Sequence, residues 1–184
     1  MSPRAFGARF PSSVVSHDCL MWDDGGMTKR VLTVCHGNIC RSTMAEQVLR
    51  ADLPAFGLDV QLDSAGVSSE ESGNPIDRRA AAVLRKAGYP LGSHRARQVQ
   101  ASELPSFDLV LAATNSQVSR LRQLALQAGM TEAEAADRIR LYRDFDTDGG
   151  GDMPDPWYGG PEDFKETLAT IQRCTENIAN HLAD

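Results

Sequence analysis

Short β-branched apolar runs alternate along this chain with stretches in which apolar side chains recur at helical spacing. Residues 31–34 form the first run, Val-Leu-Thr-Val, and read as a buried strand. From Ser42 the spacing turns helical, with Met44, Ala45, Val48, Leu49 and Leu53 on one face and Pro54 as the stop. Residues 58–62 predict a second strand, and 64–75 a loop. A helix is expected over 77–87, with Val83, Leu84 and Ala87 inward and Gly88 ending it. Residues 107–112 predict a third strand, and 116–128 a helix carrying Val118, Leu121, Leu124 and Leu126. A short helical turn at 132–137 leads to a fourth strand at 139–142. After the long segment 144–160, which holds Gly149, Gly150 and Gly151, a terminal helix is expected from Pro161 to about residue 182.

Strands alternating with helices predict an α/β fold: a three-layer, four-stranded parallel sheet flanked by helices on both faces. Ligands of such sheets bind at the carboxyl ends of the strands. The turn after the first strand is therefore the first place to look for chemistry.

Composition narrows the picture. The 184 residues suffice for one domain with a real core. No run approaches the roughly 18 apolar residues of a membrane span. The net charge of −6 and the lack of a dense Lys/Arg block argue against nucleic-acid binding. Arg78, Arg79, Arg85 and Lys86 read as a solvated helix face. Residues 1–26 are rich in Ser, Pro, Gly and Asp without periodicity, and predict either a disordered extension or an upstream start, with Met27 as the alternative first residue. They contain no apolar run of the signal-peptide kind, which predicts a cytoplasmic protein. The folded domain is expected over 27–184. Of the four cysteines, Cys19 falls in the extension and Cys174 on the terminal helix, where it reads as core. No paired zinc spacing occurs, and His36 beside Cys35 has no partner cluster, so no metal is expected.

The first strand runs into Cys35-His36-Gly37-Asn38-Ile39-Cys40-Arg41-Ser42. Between a strand and a helix, the amides of such a turn converge on one point beside the positive end of the helix dipole, which makes an anion cradle. Gly37 eases the turn and Asn38 tolerates a left-handed backbone. Positive potential at the head of the cradle favours Cys35 as thiolate. The planar fork of Arg41 suits two phosphate oxygens, and Ser42 suits the N-cap or a hydrogen bond to the sulfur. Together these parts serve nucleophilic attack on phosphorus. The pattern of a phosphate-binding NTPase loop, G-x-x-x-x-G-K-[ST], is absent.

VLTVCHGNICRSTMAEQVLR, residues 31–50, resembles the signature of the low-molecular-weight protein tyrosine phosphatases. Further matches follow in order across residues 30–182: Asp63-Ser64-Ala65-Gly66, Pro75-Ile76-Asp77-Arg78-Arg79-Ala80, His94-Arg95-Ala96-Arg97-Gln98, Phe107-Asp108-Leu109-Val110-Leu111 and Asp155-Pro156-Trp157-Tyr158-Gly159. The resemblance implies a phosphocysteine on Cys35, a phosphate clamp in Arg41 and a general acid in Asp155. It implies that residues 36–42 bind phosphate, and that Asn38, Ser42, Ser64 and His94 hold the loop by hydrogen bonds. Cys40 is implied as a redox partner of Cys35. The substrate would be a phosphotyrosine protein or a small aryl phosphate, with no cofactor. Asp146, Asp148 and Asp152 are expected to be a solvated acidic stretch.

Departures from the family pattern concern the substrate cleft. Glu70 stands where an aromatic residue is usual, His36 replaces Leu or Thr, and Thr43 replaces a common Pro. Ala113-Thr114-Asn115 stands where Met-Asp is typical, and Trp157 replaces the first of a Tyr pair, leaving Tyr158. His36, Glu70, Trp157 and Tyr158 are the expected cleft residues. Two alternatives use the same scaffold: an arsenate reductase, or a phospho-binding module without turnover. No Cys lies between Arg41 and Arg173, and Cys35, Arg41 and Asp155 are all present, so hydrolysis is the favoured reading.

Overall fold

The computed structural model describes residues 28–184; the expectations for residues 1–26 and Cys19 lie outside that range. Strand β1 (Lys29–Cys35) pairs in parallel with β2 (Val60–Gly66) on one side and β3 (Leu109–Ala112) on the other, and β3 pairs with β4 (Ile139–Leu141). The sheet order is β2-β1-β3-β4, all parallel, as the strand–helix alternation predicts. Alternate strand residues serve opposite faces. Val31, Leu109 and Leu111 face helices α1 (Arg41–Asp52), α2 (Arg78–Lys86) and α5 (Pro161–Ala183). Leu32, Val34, Val110 and Ala112 face α3 (Asn115–Gln127) and α4 (Glu132–Arg138). Cys174 is fully buried in the first of these layers. Among the described residues no helix is long and apolar enough to cross a membrane.

Among the differences from the sequence expectation, β3 starts two residues late, after a 3-10 turn at Ala101–Ser106, and β4 ends one early, where a 3-10 turn takes over at Tyr142–Phe145. Strand β2 continues through Gly66, into the expected loop, because Ser64 and Ala65 are buried and the strand pairs with β1 up to Cys35. Pro54 does not simply stop α1; it opens a 3-10 turn, Leu53–Phe56, closed by left-handed Gly57. Segment 144–160 contains a further 3-10 turn, Pro156–Tyr158, with Asp155 as its N-cap.

That segment is not a freely solvated acidic stretch. The Asp146 side chain has no exposure and takes Arg143 at 2.9 Å and Arg173 at 2.9 Å. Asp152 accepts from the backbone and side-chain N–H groups of Asn115 at 2.7 and 2.8 Å. Met153 is buried, and its N–H donates to Ala113 O at 2.8 Å. Asp148 keeps a largely exposed side chain, and Asp152 is exposed despite its bonds to Asn115. Side chains thus tether the segment to α3 and α5.

Hydrogen bonds from Arg173 hold the Asp146 carboxyl well below the usual carboxylate range in spite of its burial. A depressed value means a contribution that is complete above the unfolded aspartate value of about 3.9 and fades as pH falls below it. Asp146→Asn should therefore cost about 2 kcal/mol at pH 7, because two guanidinium groups lose a buried anion. Urea unfolding should show the gap between the two proteins narrowing below about pH 4.

Candidate active site

Strand β1 ends at Cys35 and α1 begins at Arg41, so residues 36–40 turn at the carboxyl end of the sheet. Cys40, the N-cap of α1, makes no side-chain cap bond. The first amides of α1 thus carry their positive end toward the turn without a capping side chain, which suits an anion. Asn38 adopts φ 60, the left-handed region, and is the residue that takes the strain of the turn. Gly37 is not left-handed. A Cβ there would lie 2.9 Å from Glu71 Cγ, so any larger residue would displace the Glu71 side chain. The run after β2 clamps the turn: Val67 N–H donates to Cys35 O at 2.9 Å and Ser68 N–H to His36 O at 3.0 Å. Gly66 permits this approach, since a Cβ on it would meet His36 O at 2.5 Å.

A buried chain of hydrogen bonds runs from the surface to the sulfur, and its direction follows from the groups involved. The Glu46 carboxylate, paired with Arg50 at 2.6 Å, can only accept. Ser64 Oγ, 2.6 Å away, must give it its proton. Ser64 then accepts from Asn38 Nδ2 at 2.9 Å. The other Nδ2 hydrogen goes to Ser42 Oγ at 3.0 Å, and the amide is oriented by Arg97 N–H donating to Asn38 Oδ1 at 3.0 Å. The single proton of Ser42 is left for Cys35 Sγ, 3.0 Å away. Asn38 N–H adds a second donor to the sulfur at 3.3 Å. On the other side, Asn38 O accepts from Thr43 Oγ1 at 3.0 Å and His94 Nε2 at 2.7 Å, so that ring nitrogen carries the hydrogen.

Above the turn lies a cleft of about 220 Å3, bordered by Cys35, His36, Gly37, Ile39, Cys40, Arg41, Glu70, Glu71, Asp155, Trp157 and Tyr158. The buried Arg41 guanidinium donates to Asp155 Oδ2 at 2.6 Å and Met153 O at 3.1 Å. Asp155 is also held by Trp157 N–H, which donates to Oδ1 at 3.1 Å. Arg79 anchors this wall: it donates to Trp157 O and Gly159 O at 3.1 and 3.2 Å and stacks over Phe164 at 4.6 Å. A single cleft thus gathers a sulfur with two hydrogen-bond donors, a guanidinium fork and a half-exposed carboxylate.

Comparison with known proteins places this arrangement. The sequence model of the low molecular weight phosphotyrosine protein phosphatases matches residues 30–184. The chain belongs to that family. It is a phosphoric monoester hydrolase of the protein tyrosine phosphatase class. A low molecular weight protein-tyrosine-phosphatase of Streptomyces coelicolor is 43% identical over 157 residues, covering 83% of this chain and 92% of that one. A protein tyrosine phosphatase from Entamoeba histolytica superposes with a TM-score of 0.77 at 30% identity, covering 85% of this chain and 97% of that one. Wzb of Vibrio vulnificus, solved with benzylphosphonate, gives a TM-score of 0.71 at 27% identity, over 84% and 99% of the two chains.

Within this phosphatase cleft, the residues named from the sequence fall into two groups. Cys35, His36, Gly37, Ile39, Cys40, Arg41, Glu70, Asp155, Trp157 and Tyr158 border the space. Asn38, Ser42 and Ser64 lie beneath it as the buried chain, and His94 joins them at Asn38 O. Ser42 is not the N-cap; it is the second residue of α1, and its hydroxyl faces the sulfur. Burial pushes the Cys40 thiol up to about 12, helped by Asp77 and Cys35, so it stays protonated at neutral pH. Sequence reading missed Glu46, Thr43, Arg97, Glu71 and Arg79. A Glu four residues before Arg50 on a helix was the one available signal for Glu46. Arg79, expected on a solvated face, is drawn inward by the two carbonyls and the Phe164 ring.

Glu46→Gln tests the directed chain. The amide can donate to Ser64 and loses its charge, so Ser64 is no longer obliged to pass its proton outward. Turnover of an aryl phosphate should fall about tenfold, close to the roughly 1.5 kcal/mol of one charge-assisted hydrogen bond. Alkylation of Cys35 by iodoacetate at pH 6 should slow in parallel.

Proposed function

We propose that this protein hydrolyses phosphotyrosine and small aryl phosphate monoesters through a phosphocysteine on Cys35. The observation that carries this reading is the sulfur, which receives hydrogen bonds from Ser42 Oγ and Asn38 N–H on the floor of the same cleft as Arg41 and Asp155. Vibrio vulnificus Wzb, solved with benzylphosphonate, supports an aryl phosphate as ligand.

In the first step the Cys35 thiolate attacks phosphorus, the P–O bond to the phenol breaks, and Asp155 gives the departing oxygen its proton. In the second step Asp155 takes a proton from water, the water oxygen bonds to phosphorus, and the S–P bond breaks. Phosphate leaves and the thiolate returns. Arg41 neutralises the phosphoryl oxygens in both steps, and the donors from Ser42 and Asn38 stabilise the sulfur as leaving group. In the unliganded state the Arg41–Asp155 pair at 2.6 Å holds the positions that phosphate will use, and substrate binding exchanges carboxylate for phosphate on the guanidinium. Released from the guanidinium, the Asp155 carboxylate takes up a proton from solvent or from a monoanionic phosphate ester, and gives it to the leaving oxygen.

The arsenate reductase alternative needs resolving cysteines in the segment after the third helix region, and none lies between Arg41 and Arg173. Cys174 is buried in the core and does not border the cleft. Cys35, Cys40 and Cys174 are free thiols, which fits a reducing, cytoplasmic setting. The reading extends to Cys40 as a redox guard that captures an oxidised Cys35 sulfur as a disulfide.

Cys35→Ser should abolish hydrolysis of a phosphotyrosine peptide. Asp155→Asn should lower kcat by about 10²–10³ while phosphate still binds by calorimetry; an unchanged kcat would assign the acid elsewhere. Arsenate turnover with thioredoxin and no aryl phosphatase activity would favour the reductase. After peroxide treatment, dithiol should restore the native enzyme and fail to restore Cys40→Ser; full recovery of that variant removes the guard role.

A further inference from the structure

The walls of the cleft differ in charge from its floor. Among its bordering residues the permanent cation is Arg41, whose side chain is only 6% exposed. Around the mouth stand Glu70 and Glu71, with Asp155 opposite. On the phosphatase reading above, Arg41 is occupied by the phosphoryl group during turnover and Asp155 carries a proton. What then faces the flanks of the substrate is Glu70, Glu71 and His36.

The turn that carries these two carboxylates is fixed in place. Gly73 N–H donates to Ala96 O at 2.8 Å, Ser72 N–H to Ser69 O at 3.0 Å and Asn74 N–H to Glu71 O at 2.9 Å, so the turn that carries them is tied to itself and to the next segment. Glu71 leans on Gly37, against the phosphate loop itself. Its Oε2 accepts from Asn74 Nδ2 at 2.7 Å, a neutral donor that leaves the charge uncompensated. Glu70 has a side chain 74% exposed and meets His36 Nε2 at 3.2 Å, so its charge is offset only to the degree that His36 is protonated. On the other wall Trp157 and the almost fully exposed Tyr158 offer ring surfaces on which a guanidinium can lie.

We propose that Glu70 and Glu71 select phosphotyrosine segments carrying an arginine or lysine beside the phosphotyrosine. A dianionic phosphate must pass this rim to reach Arg41. A neighbouring acidic side chain adds repulsion at the rim, whereas a guanidinium forms charge-assisted hydrogen bonds with it. Both carboxylates face solvent, so the gain is a rate effect of modest size that salt suppresses. Glu71 thereby becomes a specificity residue although it touches none of the reacting atoms.

The test is a set of three phosphotyrosine peptides identical except for Arg, Ala or Asp on both sides of the phosphotyrosine, with kcat/KM measured at low and high ionic strength. The native protein should prefer the Arg peptide over the Asp peptide by about tenfold at low salt and by about twofold when the Debye length is short. Glu70→Gln with Glu71→Gln should bring the ratio close to one, and Glu70→Lys should favour the Asp peptide. A ratio near one in the native protein, or a ratio unchanged in the double variant, overturns the proposal. If p-nitrophenyl phosphate is turned over while the peptide ratio is flat, the rim inference alone fails. If neither p-nitrophenyl phosphate nor any peptide is hydrolysed, the phosphatase reading falls with it.

Discussion

Asn38 holds the catalytic loop together. Fully buried, it uses its amide N–H, its carbonyl and both ends of its side chain at once, toward Cys35, Thr43, His94, Arg97, Ser42 and Ser64. Its left-handed backbone costs free energy of about 1 kcal/mol or more, and those hydrogen bonds offset it. A sulfur set apart from bulk water needs donors that are already aimed at it if it is to act as the proposed nucleophile. Asn38 supplies one directly and orients the other through Ser42. Without that side chain the loop would have neither its shape nor its polarity.

The second constraint links the acid to the clamp. Arg41 reaches both the backbone of Met153 and the carboxylate of Asp155, while Arg79 grips the carbonyls of Trp157 and Gly159. The segment bearing the acid is thereby tied to the helix that follows the nucleophile loop and to α2. In the proposed mechanism, substrate phosphate replaces one of these ties, which couples phosphate binding to release of Asp155. The remaining ties, through Asp152, Met153 and Arg79, keep the wall near its place while that exchange occurs. On the proposed reading, an acidic mouth over a cationic floor separates two tasks: the floor takes the phosphate, and the rim reads what lies beside it.

Much of this was legible in the chain because it is local. Strand β1, the turn and the start of α1 follow each other within one short segment, so hydrophobic spacing and the residue types of 35–42 suffice to bring Cys35 and Arg41 to one turn at the end of the sheet. The alternation of strands and helices likewise predicts a parallel sheet, since a parallel strand needs a crossover. Other residues resisted for an equally physical reason. Glu46 sits on a helix among polar neighbours and reads as surface until β2 brings Ser64 against it. Asp146 looks like part of an acidic loop until α5 brings Arg173 to it. Thr43 reads as a substitution of little consequence, yet its hydroxyl shares Asn38 O with His94.

By itself the sequence determined the order of elements, the character of the two faces of each strand, and the identity of the sulfur, the guanidinium and the Asp-Pro carboxylate, because propensity, periodicity and short motifs act over a few neighbouring residues. Tertiary structure alone decided the hydrogen-bond chain that donates outward from Asn38 to Glu46 on one side and to Cys35 on the other, the inward turn of Arg79, and the meeting of Glu71 with Gly37. Those depend on distances between residues far apart in the chain, and such distances exist only once the core has packed.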